Sequence, residues 1–190
     1  MILGPKKLLQ LVKTIKLVEG LSERELISPE GAGFDLRLGE VYKISGDAFL
    51  GETERKTADI KLVAKYKEPI RHSGLSRINS KPNTITIKPG DFFLVTTIES
   101  VNTPLDLTIN FKPRTTTFRS GLFLRTGNVA PGYKGKLTFG LKNEGPIKVT
   151  IEMGARFVHA QFEQVLGDGN QYRGQWQGGR VAAKKREVQI

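Results

Sequence analysis

The chain has 190 residues, 38% of them hydrophobic, which suits one domain with a real core and excludes disorder throughout. Its 30 Lys and Arg against 19 Asp and Glu give a formal net charge of +11, an excess that favours polyanionic partners: nucleic acid, a membrane surface or a nucleoside triphosphate. The lack of cysteine excludes a disulfide framework and Cys-ligated zinc, and with only His72 and His159 present a zinc deaminase is excluded as well.

Pro5 suits the first turn of a helix, and Leu8, Leu9, Leu11, Val12 and Ile15 recur near helical spacing, predicting a packing helix from Pro5 to Lys16. Charges interrupt its apolar runs, unlike the core of a signal peptide, and no run reaches membrane-spanning length. A soluble, cytoplasmic protein with no membrane partner is therefore expected. From Phe34 the pattern changes to short runs bounded by Gly, Pro, Asn and Asp. Strands are predicted over Phe34–Leu38, Val41–Ile44, Thr84–Ile87, Phe92–Ile98, Leu107–Phe111, Gly121–Leu124, Lys136–Leu141, Ile147–Ile151 and Arg156–Phe162. Many short strands without βαβ alternation mean an all-β sandwich or barrel. Asp47 to Lys81 is polar and irregular and reads as an excursion from the sheet. From Gly167 the composition turns Gly, Gln and Arg rich, which predicts one domain over residues 1–166 and a flexible C-terminal arm over 167–190.

Two segments carry groups suited to chemistry. Arg114 and Arg119 flank Thr115, Thr116 and Thr117; threonines suit an edge strand, but guanidinium forks and hydroxyls also bind phosphate oxygens. Close behind comes the glycine-rich turn Gly127-Asn128-Val129-Ala130-Pro131-Gly132-Tyr133-Lys134-Gly135, whose Tyr133 is either core filler or a ring facing a ligand beside Asn128 and Val129. Phosphate-binding groups next to a surface for a sugar point to a nucleoside triphosphate. In the arm, the only tryptophan, Trp176, lies between Gln175 and Gln177, with Tyr172 and Arg180 nearby. It reads as a lid ordering over a bound anion and base, or else as a disordered tail. No Gly-x-x-x-x-Gly-Lys-Ser/Thr loop exists, which excludes a P-loop enzyme.

In order, Met1-Ile2-Leu3, Gly33-Phe34-Asp35-Leu36-Arg37-Leu38-Gly39, Pro113 to Arg119, Gly132 to Thr138, Gly154-Ala155-Arg156-Phe157 and Tyr172-x-Gly174-x-Trp176-Gln177-Gly178 resemble the motifs of the dCTP deaminase and trimeric dUTPase superfamily, on its deaminase-like side. The resemblance implies a distorted β-barrel of the β-clip type with an N-terminal helix, assembled as a homotrimer with active sites between subunits. It implies a pyrimidine deoxynucleoside triphosphate as ligand: dCTP, dUTP, or dTTP as an inhibitor. Magnesium would be carried by the triphosphate, with no metal ligands from the protein. Arg114, Thr115 and Thr116 are implied as phosphate contacts, Tyr133 as the ring against deoxyribose, and Arg119, with Thr115, as part of the catalytic group. Tyr172, Gln175, Trp176 and Gln177 would close over base and phosphates.

Two positions depart from the family pattern. Ala130 stands where a dUTPase has the aspartate that orients water, and Gly140 where a deaminase has the glutamate that moves protons. His159, where the fourth motif usually has glutamine, and Glu144 are the candidate substitutes. The first reading is an enzyme that deaminates dCTP to dUTP, hydrolyses dUTP to dUMP and pyrophosphate, or both. A second is a deoxynucleotide sensor or regulatory subunit without turnover. A third, a nucleic-acid binder, is disfavoured because no compact basic stripe interleaved with aromatics is visible.

Overall fold

The computed structural model describes residues 1–68, 83–167 and 169–189. In chain order the elements are α1 (Pro5–Ile15), β1 (Val18–Glu19), α2 (Glu23–Ile27), β2 (Phe34–Ser45), β3 (Phe49–Leu50), β4 (Glu54–Lys56), β5 (Asp59–Lys65), β6 (Thr84–Ile87) and β7 (Phe92–Asn102). They continue as β8 (Leu107–Pro113), α3 (Thr115–Arg119), β9 (Leu122–Arg125), β10 (Lys134–Asn143), β11 (Val149–Glu152), β12 (Arg156–Gln164) and β13 (Glu187–Val188). The main antiparallel sheet runs β8-β12-β2-β7-β10-β9, with β1 on β7 and β5 on β2.

The two ends of this sheet meet. Ile109 on β8 bridges Val129, just beyond β9, through paired backbone bonds of 3.1 and 2.9 Å. The sheet is thereby a nearly closed, distorted barrel, one of the two architectures the strand pattern allows and the one the family resemblance implies. Its interior holds Phe34 edge-on to Phe162 at 5.9 Å, and Phe139 edge-on to both Phe111 and Phe157 at 5.0 and 5.7 Å. Such T-shaped pairs match ring edge to ring face and add to the gain from burial itself.

Helix α1 starts at Pro5, whose missing N–H costs nothing there, and ends at Lys16 in the left-handed region. Asn102 on β7 donates to the Ile15 carbonyl at 2.9 Å, which supplies a partner to the helix end. Leu8 is fully buried against the barrel. No helix among the described residues is long and apolar enough to cross a membrane.

Two expectations and one alternative reading are corrected. The span read as an irregular excursion contains β3, β4 and β5 in its described part, and β5 extends the main sheet along Glu40–Ser45 of β2; residues 69–82, with His72, lie outside the described residues. The two runs Phe34–Leu38 and Val41–Ile44 are one 12-residue strand, kept continuous by register shifts at Leu38/Glu40 and Val41/Tyr42. Thr115–Thr117 belong to a short helix rather than an edge strand. Thr117 is buried there and donates to the Phe157 carbonyl at 3.0 Å, a tertiary contact that outweighs the strand preference of threonine.

Candidate functional site

The barrel seam opens a cavity. Strand β9 pairs with β10 only from Gly140 onward, so over residues 134–139 that edge of β10 has no strand partner among the described residues. Beside it lies a cavity of about 340 Å³, walled by Phe111, the turn residues Asn128, Val129 and Ala130, and Tyr133, Leu137 and Thr138. An unpaired strand edge presents backbone donors and acceptors, which is what a planar heterocycle needs for recognition along its edge. Tyr133 is 8% exposed and stands edge-on to Tyr172 at 5.3 Å. Its hydroxyl donates to the Lys136 carbonyl at 2.6 Å, and burial pushes its pKa up to about 12. It therefore offers the cavity a neutral ring face and keeps its hydroxyl for the turn.

The C-terminal arm covers this cavity. Tyr172 N–H donates to the Pro131 carbonyl at 2.8 Å and Gly178 N–H to the Lys134 carbonyl at 2.8 Å. Gln177 accepts from Lys134 N–H at 3.0 Å and donates to the Gly132 carbonyl at 3.1 Å. Gly135, at φ +143, leaves room for this approach: a Cβ there would lie 2.6 Å from the Gly178 carbonyl carbon. Trp176 and Arg180 then line the cavity from the arm side. Gln175 points away from it, donating to the Val188 carbonyl at 2.8 Å and accepting from Arg55.

A second group of predicted residues lies elsewhere. Asp35, 1% exposed, is bonded by Arg114, by Arg156 at 3.1 Å and by His159 Nδ1 at 3.0 Å. Glu25, fully buried, accepts the Asp35 N–H at 3.0 Å and pairs with Arg24. Burial lowers the His159 pKa from its ordinary 6.5, helped by the charges of Arg114 and Lys112 and opposed by the Ala32 backbone bond and the Glu25 charge. Helix α2, which brings Arg24 and Glu25, was not anticipated. Its signal was nevertheless present, since Ser22 accepts from Glu25 N–H at 3.4 Å in a Ser-x-x-Glu start.

Within one chain these two groups stay apart. Asn128, Val129, Tyr133, Tyr172, Trp176 and Arg180 line the cavity, whereas Arg114, Thr115, Thr116, Arg119, His159 and Glu144 do not. Thr115, Thr116 and Arg119 are exposed on α3. Glu144 is held by Arg125 at 3.2 Å and Lys142 at 3.7 Å. At Gly140 the space for a side chain is already filled: a Cβ would lie 2.9 Å from Phe92 Cζ and 3.3 Å from Arg125 Cβ.

The fold and site together define a distorted antiparallel barrel with a ligand-sized seam cavity under its own C-terminal arm. The dCTP deaminase-like family profile matches residues 2–165. The chain belongs to the dCTP deaminase-like family. It is 32% identical over 173 residues to a dCTP deaminase of Thermococcus kodakarensis, covering 90% of this chain and 92% of that one. A probable deoxyuridine 5'-triphosphate nucleotidohydrolase of Methanothermobacter thermautotrophicus is 28% identical over 153 residues, covering 80% and 89%. The crystal structure of 2'-deoxycytidine 5'-triphosphate deaminase from Agrobacterium tumefaciens superposes with a TM-score of 0.61 at 16% identity over 85% of this chain, which spans 47% of that longer one. That likeness concerns the fold.

Proposed function

We propose that this protein binds a pyrimidine deoxynucleoside triphosphate with magnesium and acts in the cytoplasm on dCTP or dUTP, deaminating the first, hydrolysing the second to dUMP and pyrophosphate, or both. The observation that carries the reading is the seam cavity, where a stretch of the β10 edge without a strand partner among the described residues, Asn128 and the ring of Tyr133 are under one arm. The names of two relatives matched over nine-tenths of the chain support dCTP, and that of one matched over 80% of it supports dUTP.

In this reading the backbone of β10 past Lys136, on the side where no strand pairs among the described residues, reads the pyrimidine edge, and the ring of Tyr133 lies against the sugar. Arm closure excludes water, which strengthens each polar contact inside. Arg114, Thr115 and Thr116 of a neighbouring subunit would reach the phosphates, so a homotrimer would complete what one chain leaves divided. Among the described residues no cluster of three histidines or carboxylates could cage a metal. Asp35 is committed to arginines. Magnesium would therefore be held on triphosphate oxygens, where it neutralises charge at the phosphates.

One observation favours a second reading, a nucleotide binder without turnover. Deamination needs a proton-transferring group worth roughly 100-fold to 10,000-fold in rate. Ala130 and Gly140 supply none, Phe92 occupies the space beside Gly140, and His159 and Glu144 lie off the cavity. The test is incubation with magnesium and each of dCTP, dUTP, dTTP and dATP, following ammonia, pyrophosphate and nucleotide products. Turnover of dCTP or dUTP supports the first reading; pyrimidine-selective binding without product supports the second. Turnover or binding that ignores the base would remove both.

A further inference from the structure

The small sheet β13-β4-β3 pairs the β3–β4 hairpin with Glu187–Val188, with Arg55 opposite Glu187 and Glu54 opposite Val188. Its charges are unevenly neutralised. Arg180 grips Glu187 with both guanidinium arms, one at 2.9 Å, and Arg186 approaches Glu54 at 3.8 Å. Arg55 and Arg173, by contrast, have no carboxylate at ion-pair distance among the described residues. Both line an open cleft of about 510 Å³ whose other walls are Tyr172, Gly174 and Trp176.

Arg55 is held in place, and the Glu187 carboxylate opposite it is shared with Arg180 and Lys185, so positive charge is in excess here among the described residues. Its Nε donates to Gln175, and its guanidinium stands 5.7 Å from the centre of the Trp176 ring. An ordered guanidinium without an ion pair of its own in a concave site has already given up much of its side-chain freedom, so it binds an anion at lower entropic cost than a mobile one. Arg114 differs in this respect, because its charge already faces Asp35. Tyr172 and Trp176 are walls of both the seam cavity and this cleft. A ligand with a planar end in the cavity and an anionic end in the cleft would run past those two rings.

We propose that the Arg55–Arg173 cleft is a polyphosphate-binding site and that Arg55, carried by the β3–β4 hairpin, is a phosphate-binding residue of this protein. Under the nucleotide reading above, on which its physiological ligand rests, the cleft takes the triphosphate of a nucleotide whose base occupies the seam cavity. Arg55 lies outside the six short motifs quoted in the sequence analysis, so the hairpin would add to the site a group those motifs do not supply.

The experiment is calorimetric titration of the full chain with inorganic tripolyphosphate, dUTP and deoxyuridine at fixed ionic strength, for the unsubstituted protein and for Arg55→Ala, Arg55→Lys and Arg173→Gln. The Arg173 side chain has no hydrogen bond or ion pair among the described residues, so Arg173→Gln tests the cleft if Arg55→Ala loosens the arm. The expected result is a loss of about tenfold or more in tripolyphosphate and dUTP affinity for Arg55→Ala and a smaller loss for Arg173→Gln, since each removes a charge-assisted contact. Arg55→Lys should recover part of the affinity, and deoxyuridine binding should not move. Tripolyphosphate affinity unchanged in both Arg55→Ala and Arg173→Gln overturns the proposal, as does an equal loss for deoxyuridine and dUTP. Arg55-dependent tripolyphosphate binding without any nucleotide binding upholds the cleft and overturns the nucleotide reading alone.

Discussion

Asp35 and Gly140 show how single residues divide the work. Asp35 is buried and balances Arg114, Arg156 and His159, so Asp35→Asn should strand cationic groups in a half-buried cluster and cost about 3 to 5 kcal/mol in chemical denaturation. His159 sets an acid limit. Its pKa lies below 6.5 when folded, so as pH falls below that value the unfolded chain takes up a proton that the folded chain resists. Its contribution to stability is thus intact above about pH 6.5 and is lost below it. Denaturation midpoints measured between about pH 7.5 and pH 5.5 should fall, and His159→Gln should flatten that slope. At Gly140, even alanine must displace the Phe92 ring; Gly140→Ala should cost about 1 to 3 kcal/mol, and Phe92→Leu in the same chain should return part of it in a double-mutant cycle.

At the level of elements, the turn before β10 and the arm form one unit. Gly135→Ala places a methyl against the Gly178 backbone at a φ that L-residues rarely adopt, so the arm should lift. Acrylamide quenching of Trp176, the only tryptophan, should rise, and trypsin should cut sooner at Arg173 or Arg180; unchanged quenching would contradict the docking described here. The strands were legible because an apolar run such as Phe92–Val95, or the alternation His159-Ala160-Gln161-Phe162 with Ala160 and Phe162 buried, marks a strand directly. The α3 helix was not, since its threonines prefer strands locally and only burial of Thr117 against Phe157 decides the matter. The hairpin of β3 and β4 was equally hidden. Its strands are two and three residues long, and β4 finds its second partner, β13, at the far end of the chain.

For the whole molecule, the family motifs were readable in order, but their spatial division was not. Arg114 to Arg119 and the Tyr133 turn are close in sequence, yet β9 and the barrel seam set them in separate places in one chain. The basic residues around Trp176 likewise come from two distant segments, which is why no compact stripe was visible in the sequence. If the divided site is completed between subunits, sedimentation should give three times the 21.1 kDa of one chain. Substituting Phe118, 48% exposed on α3, with a charged residue should weaken that assembly if α3 faces a neighbour, which the same measurement reads. The most direct test of the account is titration with dCTP and dUTP in the presence of magnesium, with dATP as control, followed by calorimetry and Trp176 fluorescence. The account predicts saturable binding of one pyrimidine nucleotide per chain with a change in Trp176 emission. Absence of binding, or equal binding of dATP, would contradict it.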